Sequence, residues 1–502
     1  MKCWLKNFCF VLTCIFTLVF ASFAIADPVK PNIVVIFVDD MGYADIGPFG
    51  ATKQKTPNLN RMAAEGMKLT SFYAASVCSA SRAQLMTGCY QARVSVPNVF
   101  SHEDVKGLNP AEVTVAERLK PLGYSTACIG KWHLGVQSTF LPTRQGFDKY
   151  FGIPYSNDMQ NRPASGGEAV LPLLDGETVT ELLTEDQQST LMERYTTEAV
   201  SFINDNQSNP FFLYLAYNAI HTPIHPGSAF KGGSDNGQVG DLIEEVDWSV
   251  GQILDKIRSL NLIGQTFVLF TSDNGPWLIK GTDSGSSGPL RGGKSTTWEG
   301  GCRVPAIAWW PGRILPSSVS DVVMGTIDFL PTAVSMASGT VPDVPVIDGR
   351  DMSPVLLDNS TQSPRNAHFY FNDFDLQAVR QGPWKLAVAP QPNASGSGVA
   401  PDAVVNPRLY NLNNDIGERV NIAADNPDVV KTLQTLATQF STKIGGSRPT
   451  ERRPAGQATN PVRVFPLASQ LLPILRIWIL ISIAPGCRKF IQTKCEHDGV
   501  LR

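Results

Sequence analysis

Two acids stand side by side at Asp39-Asp40, directly after the apolar run Asn32–Val38, and Asp273-Asn274 follows Thr266–Thr271 in the same way. Open parallel sheets bind ligands outside the carboxyl ends of their strands, so both pairs fall where functional oxygens belong. Adjacent carboxylates repel one another, and a cation between them relieves that repulsion. Asp39-Asp40 alone reads equally well as a solvated turn. Together, the two strand ends offer only hard oxygen donors, which favours Ca²⁺ or Mg²⁺ over zinc.

The sharpest pattern is Val77-Cys78-Ser79-Ala80-Ser81-Arg82, closed by Leu85-Met86-Thr87-Gly88. Further along stand Gly130-Lys131-Trp132-His133 at the end of a run from Gly123, then Ile153-Pro154-Tyr155-Ser156-Asn157-Asp158. Ala219-Ile220-His221-Thr222-Pro223 and Gly292-Gly293-Lys294-Ser295-Thr296-Thr297-Trp298-Glu299-Gly300-Gly301 complete the series. In this order the segments resemble the motifs of the type I, formylglycine-dependent sulfatases, arylsulfatase A-like, from about Pro31 to Ala424. The resemblance implies that a formylglycine-generating enzyme oxidises Cys78 to an aldehyde, whose hydrate carries two hydroxyls. One attacks sulfur, and the other later expels the covalent sulfate. Ala80 stands where proline is commonest in the family, which bears on how efficiently Cys78 is converted.

The same resemblance implies the remaining roles. Asp39, Asp40, the modified Cys78, Asp273 and Asn274 would hold the metal, Ca²⁺ ahead of Mg²⁺, and Asp39 or Asp40 would help to activate the attacking hydroxyl. Lys131, Lys294, Arg82 and the cation would surround the sulfate, because charge gathers on its peripheral oxygens during transfer. Arg82 would orient the diol, and Ser156 would touch sulfate. His221 would contact the ester oxygen, with His221 or Lys294 protonating the leaving group. His133 would take the proton that releases sulfate. His225 lies close to His221 in sequence, but the His-x-Pro context favours His221.

These residues need strand ends to hold them. Asn32–Val38 (NIVVIFV), Ser125–Ile129, Phe211–Tyr217 and Thr266–Thr271 are apolar runs suited to strands buried on both faces. Helical stretches alternate with them at Thr114–Leu119, Thr190–Asn204 and along Leu242, Val246, Val250, Ile253, Leu254 and Ile257. Such alternation predicts a doubly wound α/β fold. The resemblance makes it alkaline-phosphatase-like, with a mixed, mostly parallel sheet flanked by helices. Short strands at His368–Phe371, Ala378–Arg380, Lys385–Val388 and Arg408–Leu412, then a helix from Pro427 to about Phe440, predict a small antiparallel C-terminal sheet plus helix. The expected division is a signal peptide over 1–26, a catalytic domain over 27–365 and a subdomain over 366–443. An atypical, poorly ordered tail follows over 444–502.

Lys2 and Lys6, the apolar run Phe8–Phe23 and the small-x-small site Ala24-Ile25-Ala26 form the pattern of a cleavable export signal. The expected destination is secreted, periplasmic or lysosomal. The six cysteines beyond it lack CxxC spacing and are few for 502 residues, so neither a disulfide framework nor a zinc site is expected. A net charge of −3 offers nothing to nucleic acid. In the tail, Pro466, Pro473 and Arg476 interrupt the apolar stretch Val464–Ile483, which argues against a membrane span. The expected partners are therefore a sulfated small molecule or glycan and the maturation enzyme. No oligomeric state is specified. A phosphoesterase or phosphotransferase of the wider superfamily is the second reading, and a catalytically silent binding protein the third.

Overall fold

The computed structural model describes residues 30–160, 170–391, 407–445, 449–459 and 461. The expected export signal, the Val464–Ile483 stretch and most of the loop after Gln391 lie outside the described residues.

Ten strands build the main sheet: β1 (Asn32–Val38), β2 (Met67–Leu69), β3 (Ser125–Gly130), β4 (Lys149–Gly152), β5 (Leu171–Asp175), β6 (Thr178–Leu183), β7 (Phe211–Ala216), β8 (Thr266–Ser272), β9 (Ala306–Trp309) and β10 (Ser318–Ser320). Their spatial order is β10-β2-β9-β8-β1-β7-β3-β4-β5-β6. The five central strands, β8 to β4 in that order, all run parallel. The pairs β8–β9, β9–β2, β4–β5 and β5–β6 are antiparallel, and β10 returns parallel to β2. The sheet is thus mixed and parallel at its centre, as the sequence predicts.

All seven residues of β1 are buried. Ile33, Val35 and Phe37 enter one core, while Val34, Ile36 and Val38 enter the other. Each such side chain stabilises the fold by roughly 1.5–3 kcal/mol, which is why a continuous apolar run makes a central strand. Helices α1 (Pro57–Glu65), α2 (Cys78–Thr87), α3 (Leu191–Asp205) and α4 (Gly237–Ser259) cover the two faces. Leu59, Leu191, Val246 and Val250 put α1, α3 and α4 on the face of Val34, while Ala83, Leu85 and Met86 put α2 on the face of Val35.

The C-terminal region forms a meander of β11 (His368–Asn372), β12 (Asp375–Gln381), β13 (Trp384–Ala387) and β14 (Arg408–Asn411). Helix α5 (Pro427–Ile444) packs on it through Leu433, Ala437 and Ile444 against Phe371, Val379, Leu386 and Leu409.

The tail departs from expectation. Its polar stretch reads as disordered, yet residues 449–459 cross back over the catalytic body. Gly456–Gln457 pairs antiparallel with Lys106–Gly107. Arg453 forms a forked pair with buried Glu112 at 2.7 and 2.8 Å, and Glu451 reaches Arg93 at 3.0 Å. Charged composition conceals this order, because the acceptors lie more than 300 residues away in sequence. Among the described residues no helix is long and apolar enough to cross a membrane.

Candidate active site

The sheet order carries the site. β8, β1, β7 and β3 are neighbours and parallel, so their carboxyl ends open along one edge. Asp273, Asp39-Asp40, His221 and Lys131 leave from those four ends. Backbone bonds lace the ends together: Asp273 N to Val38 O at 2.9 Å, Asp39 N to Ala219 O at 2.7 Å and Lys131 N to Ala216 O at 2.6 Å. At Gly130, with φ of 109°, an added Cβ would fall 1.9 Å from Ala216 O, so only glycine allows this closeness. Asp40, His133 and Ser295 adopt the left-handed backbone at φ of 60°, 59° and 68°, which costs energy for side chains other than glycine.

Cys78 opens the wholly buried α2. The positive end of a helix favours an anion, and Cys78 therefore lies where a sulfate would be welcome. Its neighbours fix what surrounds it. Ser79 Oγ accepts the Phe100 amide at 3.2 Å, and Phe100 O in turn accepts from His133 Nε2 at 2.8 Å. The carbonyl requires the His133 proton on Nε2, which leaves Nδ1 bare, buried and without a partner. Ser295 N binds Ser76 O at 2.8 Å, tying the Lys294 loop to the Cys78 turn.

Six charges meet here, all nearly excluded from solvent. Arg82 grips Asp273 Oδ2 through Nη2 at 2.8 Å and Nε at 3.2 Å, and reaches Asp39 at 3.4 Å. Lys131 Nζ donates to Asp39 Oδ2 and to Ser156 Oγ, the latter at 3.0 Å. Lys294 Nζ lies 2.7 and 2.9 Å from the two Asp40 oxygens, and Asn274 Nδ2 donates to Asp40 Oδ1 at 2.7 Å. His221 donates from Nδ1 to Thr222 O at 2.6 Å, so its unprotonated Nε2 faces Asp40 Oδ2 at 3.7 Å.

Burial pushes the Asp39 carboxyl up, but the cations around it, Lys131 foremost, outweigh this and hold it below the carboxylate range. Burial and the charge of Asp39 raise Asp273 to about 7, and burial also raises Asp40. His133 and His221 are kept neutral, His221 near 3, by burial and neighbouring positive charge. Burial pushes the Cys78 thiol up to about 12, which leaves an unmodified Cys78 protonated and a poor nucleophile.

One ligand atom each from Asp39, Asp40, Cys78 and His221 lies within 4.8 Å of the others, a group able to hold a metal ion. Asp39 Oδ1 and Asn274 Oδ1 are buried there with no hydrogen-bond partner. Among known proteins, the sulfatase family model matches residues 31–340, and the model for the C-terminal region of aryl-sulfatase matches 363–453. The chain belongs to the sulfatase family. It is a sulfuric ester hydrolase.

Human arylsulfatase A is 38% identical over 455 residues, covering 83% of this chain and 88% of that relative. Pig N-acetylgalactosamine-6-sulfatase is 36% identical over 451 residues, covering 82% and 85%. The solved PsFucS1 sulfatase from Pseudoalteromonas sp. superposes with a TM-score of 0.75 at 28% identity, covering 85% of this chain and 92% of its own.

The structure of this sulfatase gathers Asp39, Asp40, Cys78, Arg82, Lys131, Ser156, His221, Asp273, Asn274 and Lys294 in one contact network. His133 is held beside it through Phe100. His225 faces Glu185 at 3.7 Å and is only half-buried, outside this network. Two features escape the sequence motifs. His221 joins the candidate metal group, and Tyr214 on β7 reaches Arg82 through its hydroxyl at 3.4 Å. Tyr214 is indistinguishable in sequence from any aromatic residue of a buried strand.

Proposed function

We propose that this sulfatase acts through a formylglycine made from Cys78 and a divalent cation, Ca²⁺ first, held by Asp39, Asp40, Asp273 and Asn274. The observation that carries the reading is the meeting of Asp39, Asp40, Cys78 and His221 within 4.8 Å, ringed by Arg82, Lys131 and Lys294. The donor set fits such an ion. The available oxygens are hard, Asp39 Oδ1 and Asn274 Oδ1 are buried without partners, and three acids are desolvated together. A bound cation would polarise the sulfate oxygens and offset their charge. The hydrated aldehyde would supply the attacking oxygen and, through its second hydroxyl, the route by which sulfate leaves.

The side chains divide the remaining work. Lys131 and Lys294 bind sulfate oxygens, with Ser156 steadying Lys131. Arg82 spans Asp39 and Asp273 and holds the strand ends in register around residue 78. Lys294 carries a proton, so it donates to the leaving oxygen, and His221, bare at Nε2, acts beside it only as an acceptor. His133, neutral with Nδ1 bare, takes the proton that frees sulfate. We infer a carbohydrate sulfate as substrate. Pig N-acetylgalactosamine-6-sulfatase is a sulfatase of a sugar by name, which supports that class. The apolar N-terminal run supports export through a signal at 1–26. The sheet boundary supports a catalytic domain to 365 and a subdomain over 366–443.

Peptide mass spectrometry across Cys78, after co-expression with a formylglycine-generating enzyme, tests the nucleophile. The expected product is the aldehyde, with turnover of aryl and sugar sulfates that a chelator abolishes. Unmodified Cys78 in a fully active enzyme would sink the reading.

A further inference from the structure

Trp277 follows Asp273-Asn274-Gly275-Pro276 and is half-buried. Among the described residues it joins none of the hydrophobic cores. Its surroundings are polar and catalytic. The Trp277 and His221 ring centres are 5.2 Å apart, and Lys294 Nζ lies 4.5 Å from the Trp277 ring centre. A tight turn, closed by Lys280 N to Trp277 O at 2.9 Å, brings the exposed Lys280 back so that its Nζ lies 4.2 Å from the same ring.

A large indole left partly in water loses burial energy, so core packing does not explain it. Placed against the histidine assigned to the ester oxygen, the ring stands on the leaving-group side of the reacting bond. An aromatic plane beside an ammonium suits a sugar unit, because the apolar face of a pyranose can cover the indole. The flexible stem of Lys280 lets its ammonium swing off the ring when a sugar covers it and meet a second anionic group.

We propose that Trp277 and Lys280 form a subsite for the sugar on the leaving side of the ester, and that this subsite selects substrates carrying a second sulfate or a carboxylate. The proposal rests on the sulfate-ester reading above and narrows its substrate to multiply anionic saccharides.

The experiment compares kcat and KM of the converted full chain on a chromogenic aryl sulfate, a hexosamine 6-sulfate and the same sugar with a second sulfate. Lys280→Met should lower the disulfated-to-monosulfated ratio of kcat/KM by about 10-fold to 100-fold, the range for losing a charge-assisted hydrogen bond. Trp277→Ala should raise KM for the sugars more than it lowers kcat, with Trp277→Phe recovering much of the loss. A structural role for Trp277 would depress all three substrates alike. An unchanged ratio in Lys280→Met, or uniform losses in Trp277→Ala, would overturn the subsite while leaving the hydrolase intact. A converted wild type that cleaves none of the three would overturn the underlying reading and the subsite with it.

Discussion

Two groups of buried charges lie at opposite ends of one short segment, residues 294–299, and they are built differently. At its start, Lys294 belongs to the site of Asp39, Asp40, Asp273, Arg82 and Lys131. At its end, Glu299 belongs to a second cluster with Lys385 of β13, Glu418, Arg303 and Arg380. In the second cluster each carboxylate oxygen has a donor or cation within 3.0 Å, Glu418 Oε1 through its ion pair with Lys385 alone. Tyr73 and Tyr370 donate to Glu299 at 2.6 and 2.8 Å, the Glu299 amide donates to Glu418 at 2.7 Å, and Lys385 lies 3.0 and 2.8 Å from the two acids. Lys385 also donates to Thr297 O at 2.9 Å. The first cluster instead leaves Asp39 Oδ1, Asn274 Oδ1 and His133 Nδ1 without partners.

Burial alone therefore does not mark an active site. A satisfied network rigidifies and specifies, whereas bare acceptors beside fixed cations are prepared for a ligand. The second cluster also ties the C-terminal meander to the Lys294 segment, since Lys385 and Gln391 both hold Thr297 O, three residues from Lys294. Removing Cys78, which makes no ion pair, from the first cluster should cost activity with little stability. Removing Lys385 from the second should do the reverse.

The largest effect is expected at Cys78. Cys78→Ala should lower kcat by on the order of 10⁴-fold or more, the scale of losing a nucleophile. The apparent Tm should stay close to wild type, because the substitution trims a single buried atom. Steady-state turnover and a thermal melt check both halves; a large fall in Tm would erase the distinction between the clusters.

Lys385→Met is the opposite case. It strands Glu299 and Glu418 in a buried setting, and breaking such a pair costs about 3–5 kcal/mol. Melting should drop sharply, while folded enzyme assayed at low temperature keeps most of its kcat. A loss of kcat with an unchanged melt would make the second cluster catalytic instead.

Chelation sharpens the comparison further. If the bare oxygens hold an ion, its removal destabilises the chain by about 2.7 kcal/mol relative to a hundredfold excess over Kd. Melting with a chelator, then with added Ca²⁺, should show a reversible shift. Asp39→Asn, which discards a ligand charge, should abolish it. A shift of full size in Asp39→Asn would move the ion elsewhere.

Much of this was legible in the sequence, for a physical reason. Asn32–Val38 and Thr266–Thr271 are apolar throughout because both faces are covered, and the acids follow directly. Four strand ends and the Cys78 turn could thus be assigned without coordinates. The strands Met67–Leu69, Ala306–Trp309 and Ser318–Ser320 at one side of the sheet were not legible. They are short, and distant partners set their pairing. The second cluster was hidden for the same reason. Glu299 sits in a recognisable motif and Lys385 opens an expected strand, but nothing local says that 86 residues apart they share a hydrogen bond.

The smallest expected effect concerns pH. Burial pushes the Glu299 carboxyl up, but Lys385, Arg303 and Arg380 outweigh it and hold Glu299 well below its ordinary value. A depressed carboxylate contributes stability above its unfolded pKa of about 4.3 and loses it as pH falls toward the folded value. The Tm gap between wild type and Glu299→Gln should be widest above pH 5 and narrow steadily on acidification below about 4. Asp273, raised to about 7, has the opposite sign: its ionisation weakens the fold as pH rises through that value. An occupied cation site should remove that upper limb and leave the acid limb of Glu299 untouched. Parallel melts with chelator and with Ca²⁺ would separate the two. An acid limb that moved with the metal would mean that the clusters are coupled across residues 294–299, and that the contrast between them is one of degree.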